Sequence, residues 1–169
     1  MPPSQGIPIA PLGGLRGALK NRKIMNAEDF RAIYFTLREL TQSDTAKKNG
    51  ITNLPKPEHI ENLQMLCDEV LDPLRWIYGK PIMVNSGYRS PRLNQLVHGA
   101  KNSQHCRGQA ADITTGDLDL NRKLLGLILA HTSRVNFDQC IAERCDSLGR
   151  PRWIHISQSE EPRRQVIYR

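Results

Sequence analysis

The chain has 169 residues, of which 38% are hydrophobic and 5% aromatic, and its formal net charge is +7 at pH 7. This length and composition predict one globular domain with a sizeable core, and no apolar run is long enough for a membrane span. The positive charge favours a polyanionic partner or simply solubility, but the lack of basic–aromatic interleaving and of a helix-turn-helix pattern speaks against specific nucleic-acid binding.

The first 33 residues differ in composition from the rest of the chain. They contain repeated Pro and Gly and a basic cluster formed by Arg16, Lys20, Arg22 and Lys23. This composition predicts a flexible basic N-terminal extension, residues 1–33, followed by a folded domain at residues 34–169; an anchor for a partner is the alternative. Because the segment lacks the apolar h-region of a signal peptide, we expect the protein to be made in the cytoplasm.

A long amphipathic helix is the clearest element of the first half. Apolar residues recur at three- and four-residue steps over residues 58–78, and we expect this stripe to face the core. Pro73 removes one backbone N–H donor and is expected to bend the helix, and Gly79 is expected to end it. Residues 41–57 are rich in turn-forming residues and predict a loop ahead of the helix.

A strand, a turn and a short helix come next. Residues 82–85 are predicted as a strand that leads into a turn at Gly87, where a positive φ is expected. Pro91 begins a short helix. His98 and Gly99 end this helix, and we interpret His98 as a surface residue rather than a metal ligand.

The second half combines one helix with four strands. Residues 118–131 place apolar side chains on one side of a helix, with Asp117 or Asp119 as its N-cap. The predicted strands are residues 109–113, 137–143, 153–157 and 165–168. Helices packed on one side of a small antiparallel sheet give an α+β fold.

The four cysteines lack the spacing of a zinc ribbon. Cys67 falls within the apolar helical pattern, and Cys140 and Cys145 are close enough in sequence to meet across a hairpin. We expect free thiols, as in a reducing cytosol, with a Cys140–Cys145 disulfide as the alternative.

Two histidines and an aspartate stand out as candidate metal ligands. His105 precedes Asp112 by seven residues, and His155 lies in the strand-like segment at residues 153–157. Two imidazoles and one carboxylate form a ligand set of catalytic zinc, which keeps its fourth position for water. The lowered pKa of that water makes it a nucleophile for a peptide carbonyl. The alternative is a chance spacing with His155 as a packing or surface residue.

Three sequence blocks in order resemble a known family. SGYRSPRLNQLV at residues 86–97, SQHCRGQAADI at residues 103–113 and WIHIS at residues 153–157 resemble the zinc D-Ala-D-Ala carboxypeptidase family, which also includes phage endolysin peptidases. The resemblance extends over roughly residues 35–168. It implies that a zinc ion is bound on the sheet by His105, Asp112 and His155.

The resemblance also implies contacts with substrate. It implies that Arg89 polarises the scissile carbonyl and that Ser103 lies near the substrate. Arg89 can also grip a terminal carboxylate or simply form a salt bridge, and Ser103 can instead cap a turn. Tyr88, beside Arg89, is a further candidate for substrate binding, with core packing as the alternative.

The function that the resemblance implies is a zinc-dependent peptidase acting on peptidoglycan stem peptides. The bond is either the terminal D-Ala-D-Ala bond or an internal one. Without a signal peptide, access to the bacterial cell wall favours a phage-type release, and we expect a monomer. The alternative is a non-catalytic zinc domain that binds wall peptide or a protein partner.

The positions where the family has its general base hold different residues in this chain. Many members have an acidic residue three positions before the last zinc His, and here that position holds Arg152. Another pattern has a His two residues before that ligand, where this chain has Trp153. An Arg cannot act as a base at working pH, and this departure motivates the non-catalytic alternative.

Strand pairing offers a replacement base. If Glu143 lies across an antiparallel strand pair from Trp153, it shares a sheet face with His155. A shift of one residue in this register would turn Glu143 to the other face. We therefore predict Glu143 as the general base, with Asp138 and Asp146 as its rivals.

Overall fold

The structure, a computed structural model, describes residues 24–169. Most of the predicted N-terminal extension, residues 1–23, lies outside the described residues. Its described end contacts the domain, because the Phe30 side chain is buried in the core. The backbone N–H groups of Ile33 and Tyr34 also donate to the Asp72 carboxylate at 2.7 and 3.1 Å. The boundary at residue 33 stays a prediction.

The helices within residues 24–169 are mostly short. They are α1 (Leu37–Thr41), α2 (Asp44–Lys48), α3 (Pro57–Leu66), α4 (Asp72–Tyr78), α5 (Pro91–Leu96) and α6 (Leu118–Ala130). Part of the segment expected to be loop is therefore helical, and Ser43 caps α2 by accepting a hydrogen bond from the Ala46 N–H at 3.2 Å. Asp117 caps α6 in the same way, through the Leu120 N–H.

The long helix predicted at residues 58–78 is divided. A π-helical turn at Cys67–Leu71 separates α3 from α4, just ahead of Pro73. Since Pro73 has no N–H, it cannot donate to the Glu69 carbonyl. That carbonyl instead accepts from the Asn136 N–H at 2.9 Å. The irregularity therefore has the cause expected from the sequence, and Gly79 ends α4 in the left-handed conformation, with φ 72°.

Five strands form one sheet in the order β1-β2-β4-β3-β5. The strands are β1 (Met83–Ser86), β2 (Ala110–Thr114), β3 (Gln139–Glu143), β4 (Trp153–Ser157) and β5 (Gln165–Tyr168). The α+β class is confirmed, and the pairs among the first four strands are antiparallel. One edge differs from the antiparallel prediction, since β5 runs parallel to β3. The chain returns to the start of β3, where the Gln165 N–H donates to the Asp138 carbonyl at 2.9 Å.

The hydrophobic core lies on one face of the sheet. Because side chains alternate along a strand, each central strand directs most of its small and branched apolar residues to this face. Helical residues such as Leu66, Leu74 and Leu124 are fully buried against the sheet residues Ala111, Ile113, Cys140, Ala142, Ile154 and Ile156. The opposite face is left for Asp112, His155, Ile141 and Glu143.

Gly87 has a different role from the one predicted. It is not among the glycines with positive φ, so the prediction of a left-handed turn residue is wrong. A Cβ at this position would overlap the Leu40 backbone carbonyl. That carbonyl accepts a hydrogen bond from the Tyr88 N–H at 2.7 Å. Gly87 is therefore required for close backbone approach between α1 and the chain that follows β1.

No helix among residues 24–169 is long and apolar enough to cross a membrane. All four cysteines lie in this described part of the chain and are free thiols, so Cys140 and Cys145 form no disulfide.

Candidate functional site

Three structural elements bring the predicted metal ligands together. His105 lies on a 3-10 helix, Gln104–Arg107, which Gly108 ends with φ 71°. Asp112 lies in the middle of β2 and His155 in the middle of β4, and the two residues are direct partners in the antiparallel register. The sheet therefore fixes two of the three side chains, and the 3-10 helix places the third above them.

The three candidate ligand atoms form a nearly equilateral triangle. Nε2 of His105 is 3.2 Å from Nδ1 of His155 and 3.3 Å from Oδ1 of Asp112. The third side, between Nδ1 of His155 and Oδ1 of Asp112, is 3.0 Å. Zinc bound tetrahedrally at about 2.0–2.1 Å separates its ligand atoms by roughly 3.3 Å. The residues present therefore fit a tetrahedral zinc ion with one position left over.

The ring of His105 is oriented for metal binding by its other nitrogen. Nδ1 lies 2.7 Å from the Gly87 carbonyl oxygen, which can only accept, so Nδ1 carries the proton and donates. Nε2 of a neutral ring then presents a lone pair toward Asp112 and His155. Such a second hydrogen bond is typical of metal-binding histidines. The cluster thus concentrates electron pairs at one point, where a cation relieves their mutual repulsion.

Asp112 is held in its charged form. Burial would by itself raise the pKa of this carboxyl, but its close polar contacts with the His105 and His155 rings outweigh that effect and hold the pKa well below its usual range. Arg89 adds to this stabilisation, because its Nη2 donates to Oδ2 of Asp112 at 2.6 Å. The carboxylate is therefore ready to bind a cation near neutral pH.

Arg89 contacts the ligand cluster itself. Its Nε donates to the Ser86 hydroxyl at 2.7 Å, and its Nη2 lies 3.4 Å from Nε2 of His105 as well as bonding Asp112. Both bonds fix the guanidinium plane at the edge of the cluster. Arg89 orients a candidate ligand while remaining on the cavity wall, so its predicted contact with substrate stays a prediction.

The cluster lines a cavity of about 810 Å³ over the face of the sheet opposite the core. Ser103 and Glu143 also line this cavity. Tyr88 is not among the lining residues. Its side chain is 4% exposed and its ring lies against His59, with centroids 5.3 Å apart. We therefore do not retain Tyr88 as a substrate contact, because core packing holds it away from the cavity.

Glu143 has the strand register on which its predicted role depends. It is the direct partner of Trp153 across β3 and β4, so it shares a face with His155. Its side chain is 20% exposed and forms an ion pair with Arg169, Nη1 to Oε1, at 3.7 Å. The carboxylate therefore faces the cavity beside the cluster, with a cation nearby.

The rival bases are engaged elsewhere. Asp138 is buried in the cavity wall, where Arg163 donates to both of its carboxylate oxygens at 2.9 and 2.6 Å and holds the pKa of Asp138 well below its usual range. Asp146 pairs with Arg150 in the turn between β3 and β4 and does not line the cavity. Arg152 is exposed and also lies outside it.

Sequence reasoning missed a network around Asp138. Besides Arg163, Asp138 accepts a hydrogen bond from the Gln104 side chain at 3.0 Å, and Gln104 directly precedes His105. The network thereby ties the 3-10 helix that carries His105 to the start of β3. Gln104 lies in one of the sequence blocks that resemble the family. Nothing in the sequence around Arg163 indicates that it contacts Asp138, because its position depends on the parallel β5.

Comparison with known proteins agrees with the geometry. A curated relative, the zinc D-Ala-D-Ala carboxypeptidase of Streptomyces albus G, is 32% identical over 106 residues, which are 61% of this chain and 40% of the relative. The chain thus spans less than half the length of that relative. The family model described as Peptidase M15 matches residues 33–157, which is most of the chain and includes all three candidate ligands. The chain therefore belongs to the peptidase M15 family.

Proposed function

We propose that this protein is a zinc-dependent peptidase that hydrolyses the stem peptides of peptidoglycan. The observation that carries the proposal is the triangle of ligand atoms from His105, Asp112 and His155, with sides of 3.0–3.3 Å, on the wall of a peptide-sized cavity. Three protein ligands would leave a fourth position on zinc for water, as in catalytic rather than structural zinc sites.

The residues around this triangle have separate roles. Zinc, when bound there, supplies a Lewis acid and a water of lowered pKa. Glu143 holds a carboxylate at the cavity surface, where it accepts a proton and returns it to the leaving amine. Arg89 keeps Asp112 charged and oriented, and its guanidinium stabilises negative charge that develops on the attacked carbonyl oxygen. Ser103 lines the same cavity and contacts the peptide there.

The arginines of the cavity suit an anionic peptide as substrate. Five arginines and four acidic residues line it, which leaves one net positive charge with the histidines neutral, and stem peptides carry several carboxylates. The cleaved bond is the terminal D-Ala-D-Ala bond or an internal bond of the stem peptide. The protein acts as a monomer on the bacterial cell wall and reaches it by a phage-type release.

Digestion of defined substrates tests this function. Purified peptidoglycan and synthetic stem peptides are incubated with the protein after chelation, with and without added zinc, and products are identified by mass spectrometry. We expect zinc-dependent cleavage that His155→Ala abolishes, and the fragment masses identify the bond. A zinc-loaded, folded protein that cleaves none of these substrates would refute the peptidase proposal.

A second candidate function is a non-catalytic zinc domain that binds wall peptide. The ion pair between Glu143 and Arg169 favours it, because the carboxylate that should serve as the base is already paired with a cation. Zinc affinity and peptide binding without any hydrolysis would support this alternative. Recovery of hydrolysis in Arg169→Ala would instead show that the site is catalytic and restrained by this pair.

A further inference from the structure

An arginine over a tryptophan ring forms a platform on the wall of the cavity. The guanidinium carbon of Arg144 lies 5.4 Å from the centroid of the Trp153 ring, and both residues line the cavity. Trp153 precedes His155 by two residues on β4, so both side chains point to the same face. The platform therefore adjoins the candidate metal ligands along the strand.

The backbone of Arg144 is in an unusual conformation. Its φ of 50° lies in the left-handed region, which residues other than Gly rarely adopt. The chain turns here as it leaves β3, and the next N–H, from Cys145, donates to the Arg169 carbonyl at 2.7 Å. Glycine would make this turn without strain. Arginine at this position instead brings a cation to the cavity wall directly after Glu143.

The guanidinium of Arg144 differs from the other cavity arginines in its lack of acceptors. Arg89, Arg163 and Arg169 each face a carboxylate. Arg107 donates to the Gln109 side chain and the Asn102 carbonyl. Within residues 24–169, Arg144 has its contact with the Trp153 ring and no hydrogen-bond acceptor or acidic partner. Its N–H groups are thus available to a ligand.

We propose that Arg144, held by Trp153, binds a free carboxylate of the peptide substrate, an inference that rests on the proposed peptidase function. Because no hydrogen bond within residues 24–169 uses its N–H groups, the guanidinium over the Trp153 ring can form bidentate hydrogen bonds to a carboxylate. Two residues of β4 span about 7 Å from Trp153 to His155, the length of about two residues of an extended peptide. The carboxylate therefore lies within two residues of the scissile bond.

Steady-state kinetics of matched variants tests this anchor. Arg144→Gln removes the charge and keeps similar length, whereas Arg152→Gln makes the same charge change at an exposed site outside the cavity. Each variant is assayed on a stem peptide that wild type cleaves and on peptides in which one carboxylate at a time is amidated. We expect Arg144→Gln to raise KM roughly tenfold, with kcat changed less than about twofold, the scale of one hydrogen-bonded charge.

The amidated peptides identify the bound group. Amidation of the anchored carboxylate should raise the wild-type KM to the level of Arg144→Gln and cause no further loss in that variant, and Arg152→Gln should behave as wild type. Trp153→Leu should reproduce part of the loss, since the guanidinium then lacks its support. An unchanged KM in Arg144→Gln, or an equal loss in Arg152→Gln, would overturn the anchor while the peptidase function stands.

Direct binding separates the anchor from catalysis. Calorimetry with Glu143→Gln measures the Kd of the uncleaved peptide, and the double variant with Arg144→Gln should bind it roughly tenfold more weakly. If wild type cleaves no stem peptide, the peptidase proposal fails, and the Kd still decides the anchor. Equal Kd values in the presence and absence of Arg144 would exclude it.

Discussion

Asp112 and His155 face each other directly across β2 and β4, with Oδ1 of the aspartate 3.0 Å from Nδ1 of the histidine. Two adjacent antiparallel strands hold them and fix the spacing of their backbones. The third candidate ligand, His105, comes from a helix whose position depends on the hydrogen bonds of His105 with Gly87 and of Gln104 with Asp138. The sheet therefore supplies a rigid pair of ligands, and the surrounding loops determine whether the third completes the site.

Zinc should stabilise the protein through these three residues. A ligand present at 100 times its Kd raises the free energy of unfolding by about 2.7 kcal/mol, so thermal unfolding of metal-free protein should shift upward when zinc is added. His155→Ala should lose this shift and weaken zinc binding more than about a hundredfold. The matched control is His98→Asn at an exposed position with φ 54°, which should keep the full zinc response. A zinc shift that survives in His155→Ala would place the metal elsewhere.

Glu143→Gln should separate metal binding from catalysis. The amide keeps the size of the side chain but cannot accept a proton, so kcat should fall by about two to four orders of magnitude, while the bound zinc measured by atomic emission stays at one equivalent. Glu161→Gln is the control, because Glu161 also lines the cavity but is exposed. If Glu143→Gln retains the wild-type rate, a different group moves the proton.

The site was predictable where function depends on local sequence or simple strand pairing. His105, Asp112 and His155 stand in short blocks whose residue types suit zinc, and the structure brings them together. The register of Glu143 with Trp153 followed from a single hairpin. The roles of these residues stay predictions, but their proximity was expected from the sequence.

The parts that were not predictable depend on contacts distant in sequence. Arg163 and Arg169 reach the cavity because β5 crosses over to run parallel to β3, and short strands give no sign of their partner's direction. Gly87 was misinterpreted because its constraint comes from Leu40, 47 positions away in the chain, and not from its own φ. The burial of Tyr88 was not predictable for the same reason, since its contact with His59 is also distant in sequence.

Asp138→Asn should make stability less sensitive to acid. Hydrogen bonds from Arg163 hold the pKa of Asp138 below its unfolded value of about 3.9, so the folded state binds fewer protons. The stabilisation is therefore fully present above that unfolded pKa and is lost as the pH falls toward the folded one. Urea unfolding at pH 7 should show Asp138→Asn destabilised by about 1–3 kcal/mol.

The difference between wild type and Asp138→Asn should shrink as the pH falls below about 4. Asp146→Asn is the control, because it removes a pair with Arg150 in an exposed turn, where solvent screens the interaction. We expect a much smaller change at every pH. A wild-type advantage over Asp138→Asn that stays constant from pH 7 to pH 3 would show that the Asp138 charge is not responsible.

Gly87→Ala should damage both the fold and the metal site. The added Cβ would overlap the Leu40 carbonyl, and the backbone must shift to relieve it at a cost of about 1–3 kcal/mol. The same shift moves the Gly87 carbonyl that accepts from Nδ1 of His105 at 2.7 Å. Loss of such a supporting hydrogen bond typically weakens metal affinity about 10–100-fold. Denaturant unfolding of the metal-free protein measures the loss of stability, and zinc titration measures the loss of metal affinity.

Gly126→Ala is the control for Gly87→Ala. Gly126 lies within α6, and a Cβ there meets nothing within 4 Å. Alanine should stabilise this helix by about 0.5–1 kcal/mol and leave zinc affinity unchanged. The coupling that we infer between Gly87 and the metal site requires both losses to occur in Gly87→Ala. A variant that is destabilised but binds zinc as wild type would show that His105 keeps its orientation without the Gly87 carbonyl.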